Sequence, residues 1–131
     1  MSKSPAKRVA TAPQTDQPVF RTLRDLVLPY QTALKVVHDE PTHFYANCAA
    51  PDAKGKPVFF AAVKVSGKKT LFHFMPVYDF PDLLKGISPD LKKQMQGKSC
   101  FNFTTLSPAL VSELQTVVQQ GAAAYKTAGK L

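Results

Sequence analysis

The chain has 131 residues, of which 44% are hydrophobic. These values fit one globular domain that folds without a disulfide framework or a structural metal. The 17 Lys and Arg residues outnumber nine Asp and Glu, for a formal charge of +8. This charge suits nucleic acid, an anionic membrane surface or a small anion. Only three of the basic residues are Arg, on which phosphate and base recognition usually depends, so a solvated basic surface is the simpler interpretation.

The cysteines and the hydropathy pattern bear on the cellular compartment. Cys48 and Cys100 form no CxxC pair, and we expect buried thiols in a reducing compartment. No stretch approaches the roughly 18 apolar residues of a membrane span. The N-terminus also lacks the continuous apolar segment of a secretory signal. The sequence therefore predicts a soluble, cytoplasmic protein with no membrane partner.

The chain begins with a segment that differs in composition from the rest. Residues 1–16 are dominated by Lys, Ser, Thr, Ala and Pro, which predicts a flexible basic tail before a single domain over residues 17–131. A helix is predicted next, and Pro29 should kink it or end it one turn early. Its apolar positions recur at helical spacing, and they are Val19, Leu23, Leu26, Val27, Tyr30 and Leu34.

Four strands are predicted in the middle of the chain. "LKVVHDEPTHFYANC" contains two short strands around a turn at residues 39–41. "VFFAAVKV" and "KTLFHFMPV" flank a turn with Gly67, which is typical of a hairpin. Both hairpin strands are apolar on both faces. We therefore expect other elements of the chain to pack on both faces of these strands, or a second subunit to pack on one face. The second arrangement would make the protein a homodimer.

Short helices, a last strand and a long helix complete the pattern. Ser88-Pro89-Asp90 is typical of a helix start, and Gly97 of a helix end. "KSCFNFTTL" predicts a fifth strand, and Ser107-Pro108 begins the final helix. The predicted fold class is α+β: a single antiparallel sheet of about five strands, packed with N-terminal and C-terminal helices, with two short helices before the last strand.

The stretch "QGKSCFNF" (residues 96–103) contains residue types found in active sites. A phosphate-binding P-loop is excluded, because no further glycine precedes Gly97 at the required spacing and the order is helix to strand. Cys100 as a nucleophile would need a nearby base or a positive field, and a packed strand cysteine is the simpler interpretation. No catalytic set of residues is found, so we predict neither an enzyme nor a cofactor.

Strand alternation instead suggests a ligand site. Phe101 and Phe103 should face the core, while Cys100 and Asn102 face the other way. His73 similarly interrupts apolar neighbours. We predict a non-enzymatic domain that binds a small or anionic ligand in a cleft between the sheet and the short helices. The predicted ligand-binding residues are His73, Tyr78, Lys98, Cys100 and Asn102.

Nucleic acid and a metal ion are two other kinds of partner that parts of the sequence would suit. Aromatic residues near Lys64, Lys68 and Lys69 would suit single-stranded nucleic acid, but core packing explains the phenylalanines more economically. His38, His43 and Cys48 are spaced five apart, which gives no compact set of ligands. No metal site is therefore predicted.

Two blocks of the sequence resemble a known family. "LFHFMPVYDFPDLL" and "GISPDLKKQMQGKSCFNF" resemble the YdhG-like family, small bacterial proteins largely assigned a domain of unknown function. The resemblance spans roughly Phe20 to Tyr125. It implies a small α+β domain in the bacterial cytoplasm and supplies no catalytic residues. One branch is described as a frataxin-like iron chaperone, which would want an acidic surface, so the basic charge disfavours that role here.

Overall fold

The computed structural model describes residues 18–131. The predicted tail, residues 1–16, lies outside this range. Among these residues, none of the helices combines the length and the hydropathy that a membrane span requires. The strands and helices follow in the order α1 (Pro18–Val27), a 3-10 turn (Leu28–Ala33), β1 (Leu34–Glu40), β2 (His43–Cys48), β3 (Phe59–Ser66), β4 (Lys69–Phe74), α2 (Met75–Asp79), a 3-10 turn (Pro81–Leu84), α3 (Pro89–Lys92), β5 (Cys100–Phe103) and α4 (Pro108–Thr127).

The five strands form one antiparallel sheet in the order β1-β2-β3-β4-β5. Two-residue turns join β1 to β2 and β3 to β4. In the second turn Gly67 has a φ of +61°, a left-handed conformation that glycine adopts without steric cost. This sheet, with helices at both ends and short helices before the last strand, confirms the predicted fold class.

The core lies between α1, α4 and one face of the sheet. The pairing register puts Phe44, Val63, Phe72 and Phe101 in one row across β2 to β5. Because side chains alternate along a strand, the residues two positions away face the same side. Phe60, three positions before Val63, also faces this side, because the register of β2 and β3 shifts between Ala46 and Asn47. Six phenylalanines share this face and are fully buried: Phe44, Phe60, Phe72, Phe74, Phe101 and Phe103. Full burial of a large apolar side chain contributes about 1.5–3 kcal/mol, so these six phenylalanines contribute substantially to stability.

Prolines and serines set the ends of several helices. α1 ends at Val27 and continues as the 3-10 turn that contains Pro29, which agrees with the expected early end. The hydroxyl oxygens of Ser88 and Ser107 each accept a hydrogen bond, at 3.2 Å, from the backbone N–H three residues on. These two bonds confirm both predicted helix starts.

One predicted strand is shorter than expected. β4 ends at Phe74, whereas the sequence pattern continued it to Val77. Pro76 has no backbone N–H for a sheet hydrogen bond, and it is well suited to the first turn of a helix. Residues 75–79 consequently form α2, and Val77 is buried as a helix residue rather than as a strand residue.

Candidate functional site

The second face of the sheet is only partly covered, and we call it the open face. One row across it runs from Tyr45 to Ala62, His73 and Cys100. The next row runs from His43 to Lys64, Leu71 and Asn102. Apart from Lys64, which is exposed, these residues are only half-buried, in contrast to the fully buried phenylalanines on the first face.

Aromatic side chains of the protein itself cover part of the open face. Tyr45 and Phe59 stack with ring centroids 4.9 Å apart, and Phe59 meets His73 edge-to-face at 5.2 Å. We call Tyr45, Phe59 and His73 the aromatic row. Such contacts add about 0.5–1.5 kcal/mol each beyond area burial. The row therefore supplies some of the expected second-side cover, while a homodimer stays a prediction.

His73 is held by a partner that sequence reasoning missed. Its Nε2 lies 2.8 Å from the Ser99 hydroxyl oxygen, and only 7% of Ser99 is exposed. Burial lowers the pKa of His73, so the imidazole is neutral near pH 7. The two residues lie 26 positions apart. Only the pairing of β4 with β5, which puts His73 opposite Cys100, reveals this contact.

Cys100 and Asn102 both lie on the open face, as the strand alternation predicted. Burial raises the pKa of the Cys100 thiol, which keeps it protonated at neutral pH and disfavours a nucleophilic role. The Asn102 side-chain oxygen Oδ1 is buried without a hydrogen-bond partner. An unpaired buried acceptor costs free energy, so Asn102 is the least satisfied polar residue of this face.

The other two predicted residues lie outside the strands of the sheet. Tyr78 lies on α2, which packs against α4, and it is 53% exposed. Lys98 is exposed in the loop before β5. The structure thus brings His73, Cys100 and Asn102 together on adjacent strands, whereas Tyr78 lies on a helix and Lys98 in a loop.

Clefts in the described residues lie elsewhere than expected. Four of them have volumes of about 340–500 Å³, and none is lined by a predicted site residue. One of them, of about 420 Å³, lies between the second 3-10 turn and α4 and includes Ile87 and Glu113. The predicted residues that do cluster accordingly occupy an open face of the sheet rather than one of these clefts.

A second polar cluster lies at the β1–β2 turn. The potential ligand atoms of His38, Glu40 and His43 are all within 4.8 Å of one another. Cys48, considered with the two histidines on spacing alone, is instead buried in the core. The sequence pattern missed this cluster because the β1–β2 pairing, and not linear spacing, decides which side chains share a face.

Comparisons of the chain with protein-family models, with curated proteins and with solved structures found no match. The resemblance to the YdhG-like family therefore stays a prediction.

Proposed function

We propose that the protein is a non-enzymatic binding domain that takes a small planar anion, of the base-plus-phosphate type, on its open face. One observation carries this proposal: half-buried aromatic rings share with lysines a face whose strands β2–β5 contain no Asp or Glu. By register, Lys64 and Lys69 lie on this face, and both are exposed. The formal charge of +8 adds a general attraction for anions.

The chemistry of the face fits a ligand with a flat and a charged part. Aromatic side chains stack on planar rings, at about 1–3 kcal/mol for each base. The lysines would neutralise the charged part. A rotation of the half-buried Asn102 side chain would bring its unpaired Oδ1, which is buried in the free protein, to a ligand N–H. Retaining a costly unpaired acceptor is understandable if a ligand satisfies it.

The pKa shifts of the cysteines and the hydrogen bonding of His73 support the proposal of a non-enzymatic role. Burial raises the pKa of Cys48 and of Cys100, so neither is a ready thiolate. His73 contacts Ser99, but no carboxylate among the described residues hydrogen-bonds to the imidazole. A serine–histidine pair without an orienting group lacks part of the usual nucleophilic arrangement.

Amide NMR spectra of isotope-labelled protein can test the proposal. Titration with AMP should shift amides on β3, β4 and β5, and AMP should bind more tightly than adenosine or inorganic phosphate alone. Tyr45→Leu should weaken AMP binding about tenfold, whereas Tyr78→Leu, which removes an exposed ring from α2, should not. Lys64→Gln should weaken binding more than the equal charge change Lys92→Gln on α3.

Three outcomes would contradict the proposal. They are an absence of shifts at millimolar AMP, shifts confined to α1 and α4, and equal effects of the face variants and their controls. Circular dichroism of each variant checks that the fold is retained.

A second candidate is single-stranded nucleic acid. The specific observation in its favour is that the aromatic row crosses neighbouring strands of an antiparallel sheet on a basic protein. An oligonucleotide that binds with a steep salt dependence, while AMP does not bind, would favour this function. The scarcity of Arg makes it the weaker candidate.

We also propose a cytoplasmic protein of the bacterial YdhG-like family. Two free thiols support a reducing compartment, and the quoted sequence blocks support the family. Fractionation of the source cell would test the cytoplasmic location.

A further inference from the structure

The β1–β2 turn brings three potential metal ligands onto the open face. Glu40 and His43 pair directly across the two-residue turn at residues 41–42. His38 lies two positions before Glu40, and strand alternation places it on the same face. The register irregularity lies between Val36 and His38, so it does not separate the three.

The three side chains are already close. His38 Nδ1 lies 3.3 Å from Glu40 Oε2, and the His38 and His43 rings stack with centroids 4.7 Å apart at a tilt of 20°. Tetrahedral zinc ligands at about 2.0–2.2 Å from the ion are about 3.3–3.6 Å from one another. Since all potential ligand atoms lie within 4.8 Å, small side-chain rotations would complete such a geometry.

We propose that His38, Glu40 and His43 form a surface site for a divalent transition metal ion of the Zn²⁺, Ni²⁺ and Cu²⁺ class. Two imidazoles and one carboxylate suit these ions, whereas Mg²⁺ and Ca²⁺ prefer several oxygen ligands. Three protein ligands leave a coordination position for water or another molecule. The side chains of His38 and Glu40 are 44% and 60% exposed, which allows an ion to enter and leave.

Neighbouring charged residues affect the affinity of the site for a metal ion. Lys64, opposite His43 on β3, is a cation on the same face and lowers the affinity. Asp39 does not contribute, because it lies on the other face and binds the Arg24 side chain at 2.8 and 2.9 Å. One competing arrangement needs no metal: the hydrogen bond between His38 Nδ1 and Glu40 Oε2, at 3.3 Å. We expect micromolar rather than structural binding.

The test uses the full chain without a histidine tag, stripped of metal with a chelator. The chain has three histidines, and each should give its own imidazole NMR signals. Isothermal titration with Zn²⁺ alone should show one equivalent bound. His38→Gln and His43→Gln should each weaken binding at least about tenfold, with a smaller loss for Glu40→Gln.

Two controls match these changes. Asp39→Asn removes the neighbouring carboxylate, and His73→Gln removes the remaining histidine; both should keep the wild-type zinc affinity. Substoichiometric Co²⁺ should broaden the signals of His38 and His43 before those of His73, and sulfur-to-cobalt absorption should be absent because neither cysteine takes part. Melting curves confirm that each variant folds.

The zinc titrations distinguish a metal site at these three residues from its absence, and their result does not depend on whether AMP binds. No zinc binding at 100 µM protein, or unchanged affinity in folded His38→Gln and His43→Gln, would overturn the site. So would an equal loss in His73→Gln, or binding that depends on a cysteine. Selective loss in the His38, Glu40 and His43 variants would establish it.

Discussion

Replacement of Asn102 by valine should make the protein more stable and weaken its ligand binding. In the wild type, the Asn102 Oδ1 is buried and lacks a hydrogen-bond partner, a situation that costs about 1–3 kcal/mol. Leu71 lies directly opposite on β4, so a valine would meet an apolar neighbour in a strand, where β-branched residues are favoured. The backbone N–H of Asn102, which donates to Gln94 O at 2.8 Å, is unaffected.

We expect a gain in unfolding free energy of about 1–2 kcal/mol, since the lost amide also gives up some solvent contact. For a domain of this size the melting temperature should rise by about 4–8 °C. Urea denaturation followed by circular dichroism measures the gain, and an unchanged dependence on urea concentration confirms that only stability changed.

The control is Asn47→Val. Asn47 is half-buried on β2, opposite Phe59, and its side-chain atoms are not among those buried without a partner. Its replacement should change stability by no more than about 0.5 kcal/mol. If Asn102→Val is no more stable than the wild type, the unpaired acceptor is not a cost to folding. If Asn102→Val binds AMP as tightly as the wild type does, Asn102 is not part of the binding face.

Three further experiments test the packing of α4 and the reactivity of the Cys100 thiol. Gly121→Ala would place a Cβ 2.5 Å from the buried Phe74 ring. This clash should outweigh the gain in helix propensity from Gly to Ala, about 1 kcal/mol, and destabilise the protein. A variant that is more stable than the wild type in urea would contradict this packing. Burial and the hydrogen bond to Asp79 raise the pKa of Tyr125, so folding favours its protonated form. This stability is complete below about pH 10 and is lost at higher pH, and Tyr125→Phe should flatten the alkaline fall in melting temperature. Burial also raises the pKa of Cys100, so iodoacetamide should label it more slowly at pH 7 than in urea; equal rates by mass spectrometry would contradict a shielded thiol.

The sequence alone determined the features that depend on local patterns. Alternation along "CFNF" predicted which side chains of β5 face the core, and burial of Phe101 and Phe103 agrees. Serine followed by proline predicted two helix starts, because a hydroxyl acceptor and a residue without an N–H suit the first turn whatever surrounds it. Pro29 likewise predicted the end of α1. Such effects act over a few residues and can be derived without knowledge of the fold.

Only the tertiary structure decided which distant residues meet. Ser99 reaches His73 because β4 pairs with β5, and the histidines of the β1–β2 turn join Glu40 because the pairing register places them on one face. The sequence also did not show that the aromatic row covers its own face of the sheet. Strand pairing is set by the packing of the whole core, and a shift of one residue would send each of these side chains to the opposite face.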